Sequence, residues 1–269
     1  MSAPADPETK PGYGIFDLDH NLLPYDTQAL FCNFVLRQEP WRVVYLFWFA
    51  LGMPLFLSKL VDLHSMKRLF CSYLWGMKQE RLETLARRFA DEVIPEIVYP
   101  EVVAELERHR EEGRHTILNS ASPSFYVGEV ARVLGFDDWV STRVPAYDRM
   151  PFLPDIEGRN NKGTVKIELM RPLLPADFDP ESGKLLTDSW AYSDHHTDEP
   201  LLASCDHGVM VNPTDKLAAI GEERGWTTLL PPRPYQGKWG DRFARVRQIC
   251  GLFPLPKRKA TQGASASSE

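Results

Sequence analysis

Tyr13-Gly14-Ile15-Phe16 is apolar throughout and stops abruptly at Asp17-Leu18-Asp19. A run that short with no polar face has to be covered on both sides, which is the situation of a parallel strand buried between layers of helix. The same pattern returns three times. Thr116-Ile117-Leu118 ends at Asn119-Ser120-Ala121-Ser122-Pro123, Trp190-Ala191-Tyr192 runs into Ser193-Asp194, and Gly208-Val209-Met210-Val211 into Asn212-Pro213. Helical spacing fills the intervals. Leu82, Leu85, Ala86 and Phe89 share one face, as do Val102, Val103, Leu106 and His109, with Glu112-Gly113 as a stop. Phe125 to Leu134 reads as a helix ended by Gly135, and Lys162-Gly163 opens another that runs through Met170. This alternation predicts an α/β fold with a doubly wound parallel sheet.

With 269 residues, 43% of them hydrophobic, the chain can bury a substantial core. Lys and Arg number 31 against 37 Asp and Glu, a net charge of -6, which argues against nucleic acid as a partner. Cys32, Cys71, Cys205 and Cys250 have neither zinc-site spacing nor the density of a disulfide scaffold, so a reducing, cytoplasmic setting is expected. Residues 1–11 are polar and proline-bearing, without the apolar core of an export signal, and are read as a disordered leader. Lys257-Arg258-Lys259 followed by Ala, Ser and Gly predicts a disordered tail over 256–269.

One stretch departs from the pattern. No charge falls between Arg42 and Lys59, and Val43 to Leu51 is apolar all round. It is shorter than the roughly 20 residues that span a bilayer and is broken by Gly52-Met53-Pro54, so it should not cross one. The favoured expectation is a buried helix or the packing face of a homodimer. The other is peripheral contact with a membrane surface through 43–58, with Trp41, Trp48, Arg42 and Lys59 as interfacial anchors.

Asp17-x-Asp19-x-Asn21 has the opening of a calcium loop, but Leu22 and Gln28 stand where that loop needs Gly and Glu. Two carboxylates at a strand end can instead divide roles, one attacking an electrophile and the other moving a proton. Phe16-Asp17-Leu18-Asp19-His20-Asn21, Ile117-Leu118-Asn119-Ser120, Lys166, and Tyr192-Ser193-Asp194 through Asp198 resemble, in order, the four motifs of the haloacid dehalogenase (HAD) superfamily. The insertion after the first motif and the wording Ser120-Ala121-Ser122-Pro123 are similar to its phosphoserine-phosphatase-like branch (subfamily IB), with a helical C1-type cap. The resemblance implies a Rossmann-like core over 12–27 and 111–255 and a cap over 28–110. It further implies a Mg2+-dependent phosphatase in which Asp17 is the nucleophile and forms an aspartyl-phosphate. Asp19 would be the acid and base, Ser120 and Lys166 would contact the phosphoryl group, and Asp17, Asp194 and the main-chain carbonyl of Asp19 would hold the metal. Substrate contact is expected of Asn21, Asp26, Asn119, Ser120 and Lys166.

Several positions keep two readings. Asp198 supports the metal shell through water or complements a helix N-terminus. Asp26 faces substrate or caps a helix beside Thr27. Lys162 competes with Lys166, which the apolar neighbours Ile167, Leu169 and Met170 favour. His195 and His196 read as groups near the mouth, since adjacent histidines point different ways. Asn21 departs from the Thr or Val usual in the first motif. The expected substrate is a small soluble phosphomonoester. The alternatives are a lipid phosphate, phosphatidylglycerophosphate-like, met at the inner membrane surface, and a catalytically weak scaffold that only holds a phosphorylated ligand.

Overall fold

A computed structural model describes residues 12–183 and 185–256. The expected disordered leader, and the tail apart from Pro256, lie outside the described residues. Six strands are present among these: β1 (Tyr13–Phe16), β2 (His115–Pro123), β3 (Asp138–Thr142), β4 (Leu186–Ser193), β5 (Cys205–Val211) and β6 (Thr227–Leu229). They form one parallel sheet in the order β3-β2-β1-β4-β5-β6, with Ile15 opposite both Ile117 and Ala191. The doubly wound α/β expectation therefore holds. β3 and β6, absent from the sequence reading, are the two edge strands; one begins Asp138-Trp139 with only its end buried, and the other is three residues long.

Among the described residues ten α-helices connect and cover the strands: α1 (Thr27–Gln38), α2 (Leu46–Leu57), α3 (Leu63–Phe70), α4 (Gln79–Glu92), α5 (Pro100–Glu111), α6 (Ser124–Leu134), α7 (Thr164–Met170), α8 (Glu199–Ala203), α9 (Asp215–Arg224) and α10 (Gly237–Ile249). Alternating strand residues feed two cores. Phe16, Leu118 and Tyr192 face the helices of the insertion together with α6, while Ile15, Ile117 and Ala191 face Ile167, Met170, Leu201 and Leu217 of α7 to α9. Helix α5 returns from the insertion onto β1 and β2. Phe16 stacks on Tyr192 with ring centroids 4.1 Å apart, and the Tyr192 hydroxyl donates to Glu105 at 2.7 Å and meets His109 Nε2 at 2.9 Å. Burial first, and then Arg108 and Arg114, push His109 down to about 4, so this buried imidazole is neutral. Helix α6 ends as read, with Gly135 at φ 78° in the left-handed region. The four cysteines are unpaired.

The expectation of a buried helix over 43–58 is corrected. Of the window Pro40–Leu57, 17% is buried, and α2 buries only Leu46 and Gly52. Gly52 allows this helix to lie on α3, where a Cβ would come within 2.6 Å of Leu69 Cδ2. The start of the segment is tied down by Arg42, whose buried guanidinium donates to Glu39 at 2.6 Å and to the carbonyls of Tyr73 and Trp75 at 3.0 Å each. Removing it leaves buried acceptors without a donor. Arg42→Ala is expected to destabilise the fold by about 3 kcal/mol, read by urea unfolding; an unchanged midpoint would show the anchor to be dispensable.

Candidate active site

The strand order reverses between β1 and β4, and in open α/β sheets that switch point opens a crevice at the carboxyl ends of the strands. The Asp17 amide donates to the Tyr192 carbonyl at 3.0 Å, which sets the first acid directly beside Ser193-Asp194. A cavity of about 390 Å³ opens there, with Asp17, Asp19, Asp194, Asp198 and Lys166 in its wall. A larger cleft of about 870 Å³ lies against Trp139, Val144 and Leu173. Its facing charges, Arg143 and Glu157, pair with each other at 2.7 Å, so the convergent chemistry belongs to the smaller cavity.

Lys166 organises the floor. Gly163, at φ 63°, turns the chain into α7, and Ile167 and Met170 fix that helix on the sheet. The buried ammonium reaches Asp17 Oδ1 at 2.8 Å and Asp198 Oδ2 at 2.6 Å. Ser193 Oγ donates to the same Asp198 oxygen at 2.8 Å. Burial opposes ionisation of Asp198, but the ammonium and the hydroxyl outweigh it and hold this carboxyl below its usual range. Burial also works against the charge on Lys166, and its two carboxylate neighbours reverse that and raise it. For Asp17 burial wins. Its carboxyl is pushed up to about 7, with repulsion from Asp198 and Asp19 adding to desolvation and Lys166 opposing them. Asp194 is likewise raised by burial and by its neighbours Asp17 and Asp198.

Asp19 sits in a different environment two residues on. Its Oδ1 accepts from the Thr27 amide at 2.6 Å and its Oδ2 from Ser122 Oγ at 2.6 Å. Thr27 Oγ1 in turn lies 3.1 Å from Ser122 Oγ and 3.0 Å from the Tyr126 hydroxyl. Burial and then the nearby Asp26 raise the Asp19 carboxyl, against those donors. Asp26 caps α1 as one reading expected, accepting from the Ala29 amide at 3.0 Å, and it also lines the cavity.

Other expected residues stand further back. Ser120 is fully buried, its Oγ accepting from the Ser122 amide at 3.1 Å, and the adjoining wall is made by Ala121 and Ser122. Asn119 donates to the Lys166 carbonyl at 3.0 Å and accepts from Asn161 at 2.8 Å, which places it behind the lysine rather than in the cavity. Asn21 is buried away from the cavity with no hydrogen-bond partner for its amide among the described residues. Lys162 and His195 line the mouth. The sequence reading missed Lys67, Arg245, Thr27 and Ser122. Lys67 Nζ donates to Ala121 O at 2.9 Å and Asn160 Oδ1 at 2.5 Å, and Arg245 on α10 lies 3.1 Å from His20 Nε2 and 3.8 Å from Asp26. Ser122 was visible in Ser-Ala-Ser-Pro; a single cation on each of two distant helices carries no local signal.

Comparison with known proteins meets this geometry. Residues 15–203 match the family described as haloacid dehalogenase-like hydrolase. The chain belongs to that family. The "Inhibition of morphological differentiation protein" of Streptomyces azureus is 30% identical to this hydrolase over 71% of the chain and 63% of its own length. A phosphoserine phosphatase of Mycobacterium tuberculosis is 26% identical over 61% of the chain and 52% of its own length. This haloacid dehalogenase-like hydrolase thus spans between about half and two thirds of these curated relatives, and its sequence and fold are those of the phosphoserine-phosphatase-like branch. A solved protein of unknown function from Bordetella pertussis has the same fold, with a TM-score of 0.68 at 23% identity, over 82% of this chain and 99% of that one.

The charge balance of this hydrolase's cavity fits a divalent cation. Asp17 and Asp198 share a single ammonium, Asp194 lies in the same cavity wall, and Asp17 and Asp194 are held above their usual range, so the pocket is short of positive charge. Among the described residues no three His, Cys, Asp or Glu side chains close into a cage of their own. The raised carboxyls have a consequence for stability. Asp17 keeps its proton in the fold at pH values where the unfolded chain has lost it, so its contribution is full below the ordinary value of 3.8 and is lost as pH climbs through about 7. Thermal unfolding of metal-free protein should therefore move to lower temperature between about pH 5 and pH 7.5, and Asp17→Asn should flatten that slope. A wild-type profile already flat over this interval would contradict the assignment.

Proposed function

We propose that this hydrolase cleaves phosphomonoesters through an aspartyl-phosphate on Asp17, with a small soluble ester as the favoured substrate. The observation that carries the reading is the division of two neighbouring carboxyls: Asp17 against a buried ammonium, Asp19 against a hydroxyl and a main-chain amide. Asp17, once ionised, attacks phosphorus as the ester P–O bond breaks, and the proton on Asp19 passes to the leaving oxygen. Water then adds to the phosphorus, giving its proton to Asp19, and inorganic phosphate departs with Asp17 restored. Mg2+, bound by Asp17, Asp194 and the main-chain carbonyl of Asp19, would neutralise the charge of the phosphate dianion.

Lys166 offsets charge on the phosphoryl oxygens, and Asp198 with Ser193 keeps its ammonium aimed at Asp17. Ser120, within β2 where its register with β3 shifts, supplies a phosphoryl contact once its hydroxyl turns from the Ser122 amide. Asp26 and Lys67 face the leaving group, while Asn119 steadies α7 from behind. In this reading 12–27 and 111–255 form the core and 28–110 the cap, with α5 as its return to the sheet, and closure of the cap excludes water during the first step. Unpaired cysteines support a cytoplasmic setting.

Purified protein should release phosphate from p-nitrophenyl phosphate with Mg2+ and stop in EDTA. Asp17→Asn should lower kcat by at least about 1,000-fold, and acid-quenched turnover with labelled ester should leave the label on Asp17. Turnover that survives this substitution would exclude the nucleophile. Tight phosphate binding without turnover would instead identify a phospho-ligand scaffold.

A further inference from the structure

We propose that α2 and its flanks dock the protein onto an anionic lipid bilayer, with the helix lying in the headgroup plane beside the catalytic mouth. Phe47 is 60% exposed, Trp48 50% and Leu57 74%, and Val44, Leu51, Leu55 and Leu60 are exposed with them. A contiguous apolar surface of this kind on a folded chain marks a contact site. The helix lies along the cap and does not leave it. Gly52 is pressed on Met66 and Leu69 of α3, and Arg42 anchors the preceding turn to the carbonyls of Tyr73 and Trp75. With the turn before it the helical apolar run Pro40–Leu57 has 18 residues, enough by length and composition to cross a membrane, but Arg42 at its start and Gly52 in its middle hold it along α3 and the Tyr73–Trp75 segment.

Charge decides between a bilayer and a second copy of the chain. From Val43 to Ser58 there is none, and the border of the face carries Lys59, Lys78 and Arg149 against Asp62 and Asp148, a small positive excess although the whole chain carries -6. Lys59 closes α2, while Lys78 and Arg149 flank Trp75 and Phe152, rings that continue the patch from Trp48 and Tyr45. None of the three cations is in an ion pair among the described residues. Of the nearby acids, Asp62 caps α3 through the Ser65 amide, and Asp148 is exposed. A two-fold pairing of this face would set like rims against each other. Anionic headgroups would instead complement each cation by about 1 kcal/mol, with the tryptophans at headgroup depth.

The face adjoins the reaction site. Helix α3, which carries α2, also places Leu63 and Lys67 in the wall of the catalytic cavity. A phosphomonoester anchored in the bilayer by an acyl chain would meet the cavity at the docked edge; this consequence rests on the phosphatase reading, whereas the docking itself does not.

Flotation with vesicles of phosphatidylcholine, alone or mixed with phosphatidylglycerol, tests the docking. Wild-type protein should float with the mixed vesicles and less with the neutral ones. A Phe47→Asp, Trp48→Asp double variant should lose at least 10-fold in vesicle affinity while hydrolysing p-nitrophenyl phosphate as before, and Lys59→Gln should lose about 5-fold on mixed vesicles. Wild type that stays unbound, or a double variant that floats equally, would overturn the proposal. So would a dimer in light scattering that the double variant converts to monomer, since a second copy would then cover the face. Asp17→Asn should float like wild type; its loss of turnover with flotation kept bears on the chemistry alone. Phosphatidate in mixed vesicles should be hydrolysed more slowly by the double variant, and equal rates would sever docking from catalysis.

Discussion

The buried ammonium of Lys166, shared between Asp17 and Asp198, is the constraint around which the site is built. A lysine this deep is stable only where its charge is matched, and here carboxylates outnumber it. Burial and mutual repulsion work against that excess negative charge, and they raise the carboxyls of Asp17 and Asp194 above their usual range. A pocket of this balance is poised to take up positive charge. The supporting contacts are arranged to keep the lysine in place: Asn119 donates to the Lys166 carbonyl, Ser193 donates to Asp198, and the sheet holds α7.

Two carboxyls separated by a single residue lie in different surroundings. Asp17 has a cation for a neighbour and Asp19 has neutral donors from Ser122 and the Thr27 amide at the start of α1. Lys166 favours the charged form of the first, and Ser122 and Thr27 favour that of the second, in each case against burial, which raises both carboxyls. This is the general way in which neighbouring acids come to act as nucleophile and proton carrier. Because one donor to Asp19 is the first amide of α1, the insertion begins inside the site itself, and any movement of that helix would be felt at Asp19.

The insertion also shows why burial cannot be inferred from hydrophobicity alone. Its helix α4 and its return α5 bury ordered apolar stripes, Leu82, Leu85 and Phe89 in one and Val102 and Leu106 in the other. Helix α2 is more apolar than either and remains outside, held by Gly52 and by the anchor at Arg42. A helix that is apolar all round has no preferred face to turn inward, so neighbours and not its own pattern decide what it covers.

Four of the six strands, the stop at Gly135 and the acids at the end of β1 were legible because each rests on local chemistry: short apolar runs, a left-handed glycine, a polar turn. The edge strands were not, since β3 is only partly covered and β6 has three residues. Nor could the chain alone reveal α10 above the mouth, Lys67 reaching in from α3, or Asp198 gripping a lysine 32 positions earlier. Local residue patterns specify which segments become strands and where the reactive groups are attached to them. Which charges are neighbours, and so which carboxyl keeps its proton, follows from contacts between segments far apart in the chain, and these exist only once the sheet has closed its order.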